Sequence, residues 1–191
     1  MKSEQVIQAF RDTGALLEGH FVYTSGRHGR QFLQAARVLQ YPEHTEPLCC
    51  AMADNFRAAM VELVVGPATG GIILAYETAR LLNCRAAFTE KHGSGAMAMK
   101  RGFSLKQGER VLVVEDITTT GGSIAKTLDH LRARGAEVVG VSVLIDRSGG
   151  AAAFDCPYKP LARLDMKSWA PDDLPEDLQQ SSPVDPDDIV L

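Results

Sequence analysis

The stretch from Arg110 to Gly135, RVLVVEDITTTGGSIAKTLDHLRARG, constrains this chain more than any other. Four apolar residues, Val111 to Val114, run into two carboxylates, Glu115 and Asp116. Then come Ile117, three threonines, two glycines and Ser123, and after them a helical pattern with one apolar face. That order predicts a strand, a turn and a helix. The turn has the composition of a phosphate grip. Glycines let successive amides point inward, hydroxyls add donors, and the helix presents its positive end. The carboxylates at the end of the strand would face whatever the phosphate is attached to.

A chain of 191 residues is expected to be one domain with an ordinary buried core. Its acidic balance is concentrated at one end. From Ser168 onward there are seven acids and no Lys or Arg, which leaves 20 bases against 24 − 7 = 17 acids in residues 1 to 167. A body near +3 suits a phosphate-bearing small molecule, and it is too weak and scattered to argue for nucleic acid. Cys49, Cys50, Cys84 and Cys156 form no CxxC pair and no zinc-type cluster with histidine, so reduced thiols in a cytoplasmic protein are expected. The start, MKSEQVIQAFRDTG, lacks the apolar run of a signal peptide, and no run reaches the ~18 apolar residues of a membrane span.

Taken in order, Glu4 to Thr13 places Val6, Ile7 and Phe10 on one helical face, with Ser3 as the cap and Gly14 as the stop. Phe21, Tyr23 and Phe32 alternate with polar residues about Ser25-Gly26, which predicts a β-hairpin. Arg27, His28 and Arg30 near its turn have two readings, a solvated loop or charges held over an anionic ligand. Glu43 to Met60 reads as a helix with Pro47 in its first turn. Leu63 to Val65 forms a short strand, GPATGG (66 to 71) a glycine-rich turn, and Ile72 to Leu82 a helix. No Walker lysine follows that turn, and its spacing is not that of a dinucleotide fingerprint. Arg85 to Thr89 is a further strand. EKHGSGAMAMKRG (90 to 102) has no persuasive periodicity and is either a solvated hairpin or a basic flap over a site. Val138 to Ile145 is another strand, ending in Asp146-Arg147-Ser148, and Leu161 to Leu164 is a short one. From Ser168 four of the nine prolines and seven acids crowd into 24 residues, which predicts a meandering or partly disordered tail, its start pinned by Trp169.

Strands alternating with helices through short connections predict an α/β fold with a mainly parallel sheet, whose ligands sit beyond the carboxyl ends of the strands. The turn after Val65, the segment after Thr89, the acidic-threonine turn and Arg147 all fall at such ends. Adjacent carboxylates suit a vicinal diol and the loop suits a phosphate, which together favour a ribose 5-phosphate. Loss of pyrophosphate from C1 of that ribose would build positive charge that carboxylates stabilise, and the leaving group would call for magnesium, amides and mobile cations.

EDITTTGGS (115 to 123) resembles the phosphoribosyl-pyrophosphate signature of the type I phosphoribosyltransferases. GALLEGHFVYTSGRHGRQFLQ (14 to 34), GPATGGIILAYETAR (66 to 80), FTEKHGSGAMAMKRGFSLKQGERVLVVEDITTTGGS (88 to 123) and LIDRSGG (144 to 150) are similar, in matching order, to the orotate branch of that family. The resemblance implies a type I phosphoribosyltransferase-like fold, with a central sheet flanked by helices, an N-terminal hood hairpin and a flexible flap. It implies one such domain over residues 1–167, followed by the acidic tail 168–191.

The resemblance also implies transfer of phosphoribose from 5-phosphoribosyl 1-pyrophosphate to orotate in pyrimidine biosynthesis, with Mg2+ bound mainly through the substrate pyrophosphate. Carried over by position, Glu115 and Asp116 hold the ribose hydroxyls, and the donor site runs through Ile117, Thr118, Thr119, Thr120, Gly121, Gly122 and Ser123. Thr119 and Arg147 meet orotate, Gly66 to Gly71 meets the pyrophosphate, and Lys91 on the flap is catalytic with Asp116. The family's flap reaches into a neighbouring subunit, which implies a homodimer. The best-known members have lysine where this chain has Thr24 and an Arg-Lys pair where it has Glu90-Lys91. Other members share the shorter flap seen here. The acidic tail lacks the Cys-Pro-x-Cys and Pro-Gly-Ser endings common in the branch. Transfer to a different nucleobase, or a regulator that binds the donor without catalysis, are the alternatives.

Overall fold

The apolar runs of this sequence are short and nearly continuous, as strands covered on both faces require. A computed structural model describes residues 1–23 and 25–185. Its helices are α1 (Ser3–Asp12), α2 (Ala36–Leu39), α3 (Pro42–Asp54), α4 (Gly70–Leu82), α5 (Gly122–Ala133) and α6 (Glu176–Gln179). The strands are β1 (Leu16–Val22), β2 (His28–Leu33), β3 (Leu63–Pro67), β4 (Arg85–His92), β5 (Ala96–Met99), β6 (Arg110–Thr118), β7 (Glu137–Asp146), β8 (Tyr158–Arg163) and β9 (Ser168–Trp169). Six strands form the central sheet in the order β5-β4-β3-β6-β7-β8. All its neighbours pair in parallel except β5, which runs antiparallel to β4.

Side chains alternate across each strand, and that period divides the core in two. Val64, Leu112, Val114 and Leu144 face α1, α3 and α4, where they meet Phe10, Leu48, Met52 and Leu74. Leu63, Val65, Val111, Val113, Val141 and Val143 face the other way, onto Ile124, Leu128 and Leu131 of α5. The chain enters the sheet at β3, moves outward to β4 and β5, then returns to the opposite side of β3 as β6. The topological switch point therefore lies between β3 and β6, where open α/β sheets hold their ligands.

Several predicted elements need correction. The helix over Glu43 to Met60 ends at Asp54, a separate 3-10 turn spans Arg57–Ala59, and Met60 takes a left-handed conformation. Pro47 lies inside α3 rather than in its first turn, because Pro42 already occupies the start. Ser3 does not cap α1. It is the first helical residue, its hydroxyl donates to the Leu161 carbonyl at 3.1 Å, and the Gln5 side chain accepts the Lys2 amide.

The acidic tail meanders as expected, with Trp169 at its start on the body. Through Asp185 it is ordered against the hairpin of β1 and β2. Strand β9 pairs with β2, Val184 bridges to Phe21, and Leu178 of α6 is buried. Arg27 and Arg30 stay exposed but, with His28, are engaged by partners rather than hanging free. Arg27 donates to Ser168, His28 meets His20, and Arg30 forms a two-pronged pair with Asp177 while stacking 4.6 Å from the Trp169 ring centre. Composition alone misses this, because the tail's acids are matched by arginines far away in sequence.

Candidate active site

Parallel pairing sets the carboxyl ends of β3, β6 and β7 side by side, with Thr118 in register with Asp146. Residues Glu115, Ile117, Thr118, Thr119, Thr120, Gly121, Gly122 and Ser123 line one hollow of about 70 Å³ at the end of β6. That space holds a phosphate group and not a whole nucleotide. Gly121 precedes α5 with φ 75°, a left-handed conformation that glycine adopts freely. The Thr120 hydroxyl accepts from the Gly122 amide at 3.4 Å, folding the loop across the helix start. The positive end of α5 thus opens onto the hollow.

Glu115 lines this hollow, while Asp116, next along β6, faces Gly70 in the turn after β3, so the two acids have different surroundings. Glu115 is 8% exposed, and burial, reinforced by the charge of Asp116, pushes its carboxyl up to about 9. Asp116 is partly exposed, and burial raises it as well, against the pull of the Ile117 amide that donates to Oδ1 at 2.6 Å. Two carboxyl groups this close and this poorly solvated do not both ionise readily without a ligand.

The turn between β3 and α4 closes the other side of the crevice. Its Ala68–Thr69 peptide is cis, and the Ala68 amide donates to the Thr89 carbonyl at 2.7 Å. Side chains have no room here. A Cβ on Gly71 would press on the backbone of Gly66, and one on Gly70 would overlap the Asp116 carboxylate. The contact between Gly70 and Asp116 joins the turn after β3 to the acids of β6, and spacing in the sequence contains no sign of it.

Arg147 follows β7. Its amide donates to the Thr118 carbonyl at 2.8 Å, which ties it to the phosphate loop. Its guanidinium lies 5.3 Å from the centre of the Tyr23 ring, and Nε is buried with no hydrogen-bond partner among the described residues. Burial lowers the guanidinium from its ordinary value, against the opposing effect of Tyr23. A buried cation with an unused donor is a ready receptor for an anion.

Lys91 stands apart. Residues 90 to 102, left unassigned by periodicity, contain a β-hairpin in which Lys91 pairs with Met97 across β4 and β5. The hairpin rests on α5 of its own chain, where the Met99 amide donates to His130 Nε2 at 3.1 Å. Lys91 is exposed and does not line the hollow. Lys100 donates to the Lys91 carbonyl at 2.7 Å, and Arg101 pairs with Glu90 at 2.8 Å, so neither basic side chain is idle. Thr24 lies outside the described residues. Among the described residues no three His, Cys, Asp or Glu side chains converge as a metal cage.

Comparison with known proteins agrees with this arrangement. The family described as phosphoribosyl transferase domain matches residues 54–172. The chain is 45% identical over 175 residues to an orotate phosphoribosyltransferase of Caldicellulosiruptor saccharolyticus, covering 92% of this chain and 91% of that one. It is 45% identical over 188 residues to the enzyme of that name from Methylorubrum extorquens, covering 97% and 96%. The solved orotate phosphoribosyltransferase of Aeropyrum pernix superimposes with a TM-score of 0.72 at 29% identity, over 83% of this chain and 93% of that one. With a glycine-threonine loop, paired acids and a buried arginine at one switch point, and with relatives this similar over nearly the whole length, the chain belongs to the orotate phosphoribosyltransferase family.

Proposed function

We propose that this chain transfers phosphoribose from 5-phosphoribosyl 1-pyrophosphate to orotate, giving orotidine 5′-monophosphate and pyrophosphate. The observation that carries the reading is the bond from the Arg147 amide to the Thr118 carbonyl, which sets an unsatisfied buried cation beside a phosphate loop. An acceptor that is both a nucleobase and an acid answers to that pair of features.

In this reading the loop from Thr118 to Ser123 holds the 5-phosphate, and Glu115 and Asp116 take the ribose hydroxyls. Pyrophosphate lies against the turn from Gly66 to Gly71, and Arg147 with Thr119 holds orotate. The C1–O bond to pyrophosphate breaks with its electron pair leaving on oxygen. Orotate N1 then forms the new bond to C1, and its proton passes to the departing pyrophosphate or to water. Positive charge on the ribose is greatest between those events, when ionised carboxylates at the end of β6 stabilise it most. Glu115 and Asp116 are too few to enclose a magnesium ion, which would be held mainly through the substrate pyrophosphate, with these carboxylates as the oxygen donors nearest to it once ionised. When bound it offsets charge on the departing pyrophosphate.

Lys91 supplies a cation to the leaving group from the flap of a second copy, in a homodimer. Its distance from the hollow of its own chain supports this, as do Ile73 and Tyr76 of α4, which are 46% and 66% exposed. No helix among the described residues is long and apolar enough to cross a membrane, and the proposed compartment is the cytoplasm. Residues 1–167 make up the transferase unit in this reading, and the tail clasps its hood.

Incubating the protein with donor, magnesium and orotate tests the proposal. Orotate absorbance falls and orotidine 5′-monophosphate appears. Absence of turnover at high enzyme concentration sinks the reading, and preference for uracil or a purine redirects it to another acceptor.

A further inference from the structure

The site contains one contact that joins the hood to the acceptor side, and neither paired acids nor glycine loops account for it. Tyr23 closes the turn between β1 and β2: its amide donates to the Arg27 carbonyl at 2.8 Å, and its own carbonyl accepts from Gly26 at 2.8 Å. Its phenol reaches back along the hairpin and donates to the Gln31 carbonyl at 2.6 Å. The space for that path exists because residue 29 is glycine, since a Cβ there would overlap the phenol oxygen and ring. Ring and hydroxyl are thereby held at both ends, and the ring stands 5.3 Å from the Arg147 guanidinium carbon.

Arg147 needs such a support. Its backbone is held at Thr118, yet among the described residues its side chain has no carboxylate partner and its buried Nε has no hydrogen-bond partner. A guanidinium in that condition has several rotamers open to it, and each costs affinity for a planar acid that must be met in one orientation. An aromatic face restrains a guanidinium without occupying its donors, which an acid would do.

We infer that Tyr23 is a positioning residue for orotate recognition, holding the Arg147 guanidinium against its ring so that the buried Nε stays free for the substrate carboxylate. The inference rests on the proposed role of Arg147 and adds to it a specific support from the hood. Burial raises the Tyr23 phenol above its ordinary value, while the charge of Arg147 and a hydrogen bond from its side chain pull it back.

Steady-state constants for Tyr23→Leu, Tyr23→Phe, Arg147→Ala and Tyr23→Leu/Arg147→Ala decide the matter. Tyr23→Leu raises the orotate KM about tenfold, the size of one desolvated cation–ring contact, while the donor KM stays within about twofold. Tyr23→Phe keeps the ring but loses the hydroxyl's bonds, and raises the orotate KM by less than Tyr23→Leu does. In the Arg147→Ala background, Tyr23→Leu has no further effect on the orotate KM, a result that a merely structural tyrosine does not produce. If Tyr23→Leu does not fold, Gly29→Ala displaces the same ring and is read in its place. An unchanged orotate KM in Tyr23→Leu, with Arg147→Ala raising it, overturns the inference and leaves the acceptor site standing. An unchanged orotate KM in Arg147→Ala overturns both.

Discussion

Replacing Glu115 with glutamine should change how stability depends on pH, and the size of the change follows from where the carboxyl sits. In the folded chain burial and Asp116 push Glu115 up from 4.5 to about 9. Between those values the folded state holds a proton that the unfolded chain has released. An acid raised on folding therefore contributes stability at low pH that is lost as pH climbs from the unfolded value towards the folded one. Each pH unit in that window is about 1.4 kcal/mol, so moving from about pH 7 to about pH 8.5 removes about 2 kcal/mol through this one group. Glutamine keeps the size and the hydrogen-bonding atoms but cannot ionise. The variant should thus lose less stability than wild type over the same interval, by about 1–2 kcal/mol once partial ionisation near the upper end is allowed for. Asp116 is raised by burial too and leaves a residual slope of the same sign in both proteins. Urea unfolding at the two pH values, comparing midpoints at constant slope, measures the difference. Parallel losses in wild type and variant would show that water reaches Glu115 freely and would refute the burial argument.

Three other outcomes follow from the geometry. Gly70→Ala drives a methyl group into the Asp116 carboxylate and should lower kcat/KM for the donor about 10- to 100-fold, with the orotate KM nearly unchanged, in the standard absorbance assay. Lys91→Ala should lower kcat about 100-fold or more while donor affinity measured by calorimetry stays within about twofold; if the flap of a second copy supplies that lysine, mixing this variant with Arg147→Ala should restore part of the activity. Asp177→Ala frees Arg30 from the tail, and because Trp169 is the single tryptophan, its emission should report the loss directly as a shift towards that of a solvated indole.

Much of the site was legible because its donor half is local. Val111 to Ser123 is one continuous segment in which strand, acids, glycine turn and helix start follow one another, so residues that line one hollow are neighbours in the chain as well. The carboxyl ends of β3, β6 and β7 could also be expected to meet, because parallel pairing leaves them no other place. The flap was harder to read. Its charges and glycines mask the alternation of Met97 and Met99, and only pairing with β4 makes residues 96 to 99 a strand. The end of α3 was misplaced because Phe56 to Met60 continues an apolar pattern that a helix could use, while the actual helix stops at Asp54 and the chain passes through a 3-10 turn and a left-handed Met60 before β3.

The sequence by itself determined the kind of molecule: short apolar runs that must be covered on both faces, and a loop whose glycines, hydroxyls and paired acids suit a phosphorylated ribose. These are properties of contiguous residues, governed by period, backbone freedom and local charge. Tertiary structure decided what those residues meet. It set Gly70 against Asp116, Tyr23 beneath Arg147, and an acidic tail along an arginine-bearing hairpin, with Arg30 and Asp177 brought from opposite ends of the chain. Such contacts depend on steric fit and charge pairing between distant segments, and these arise only after the sheet has ordered its strands.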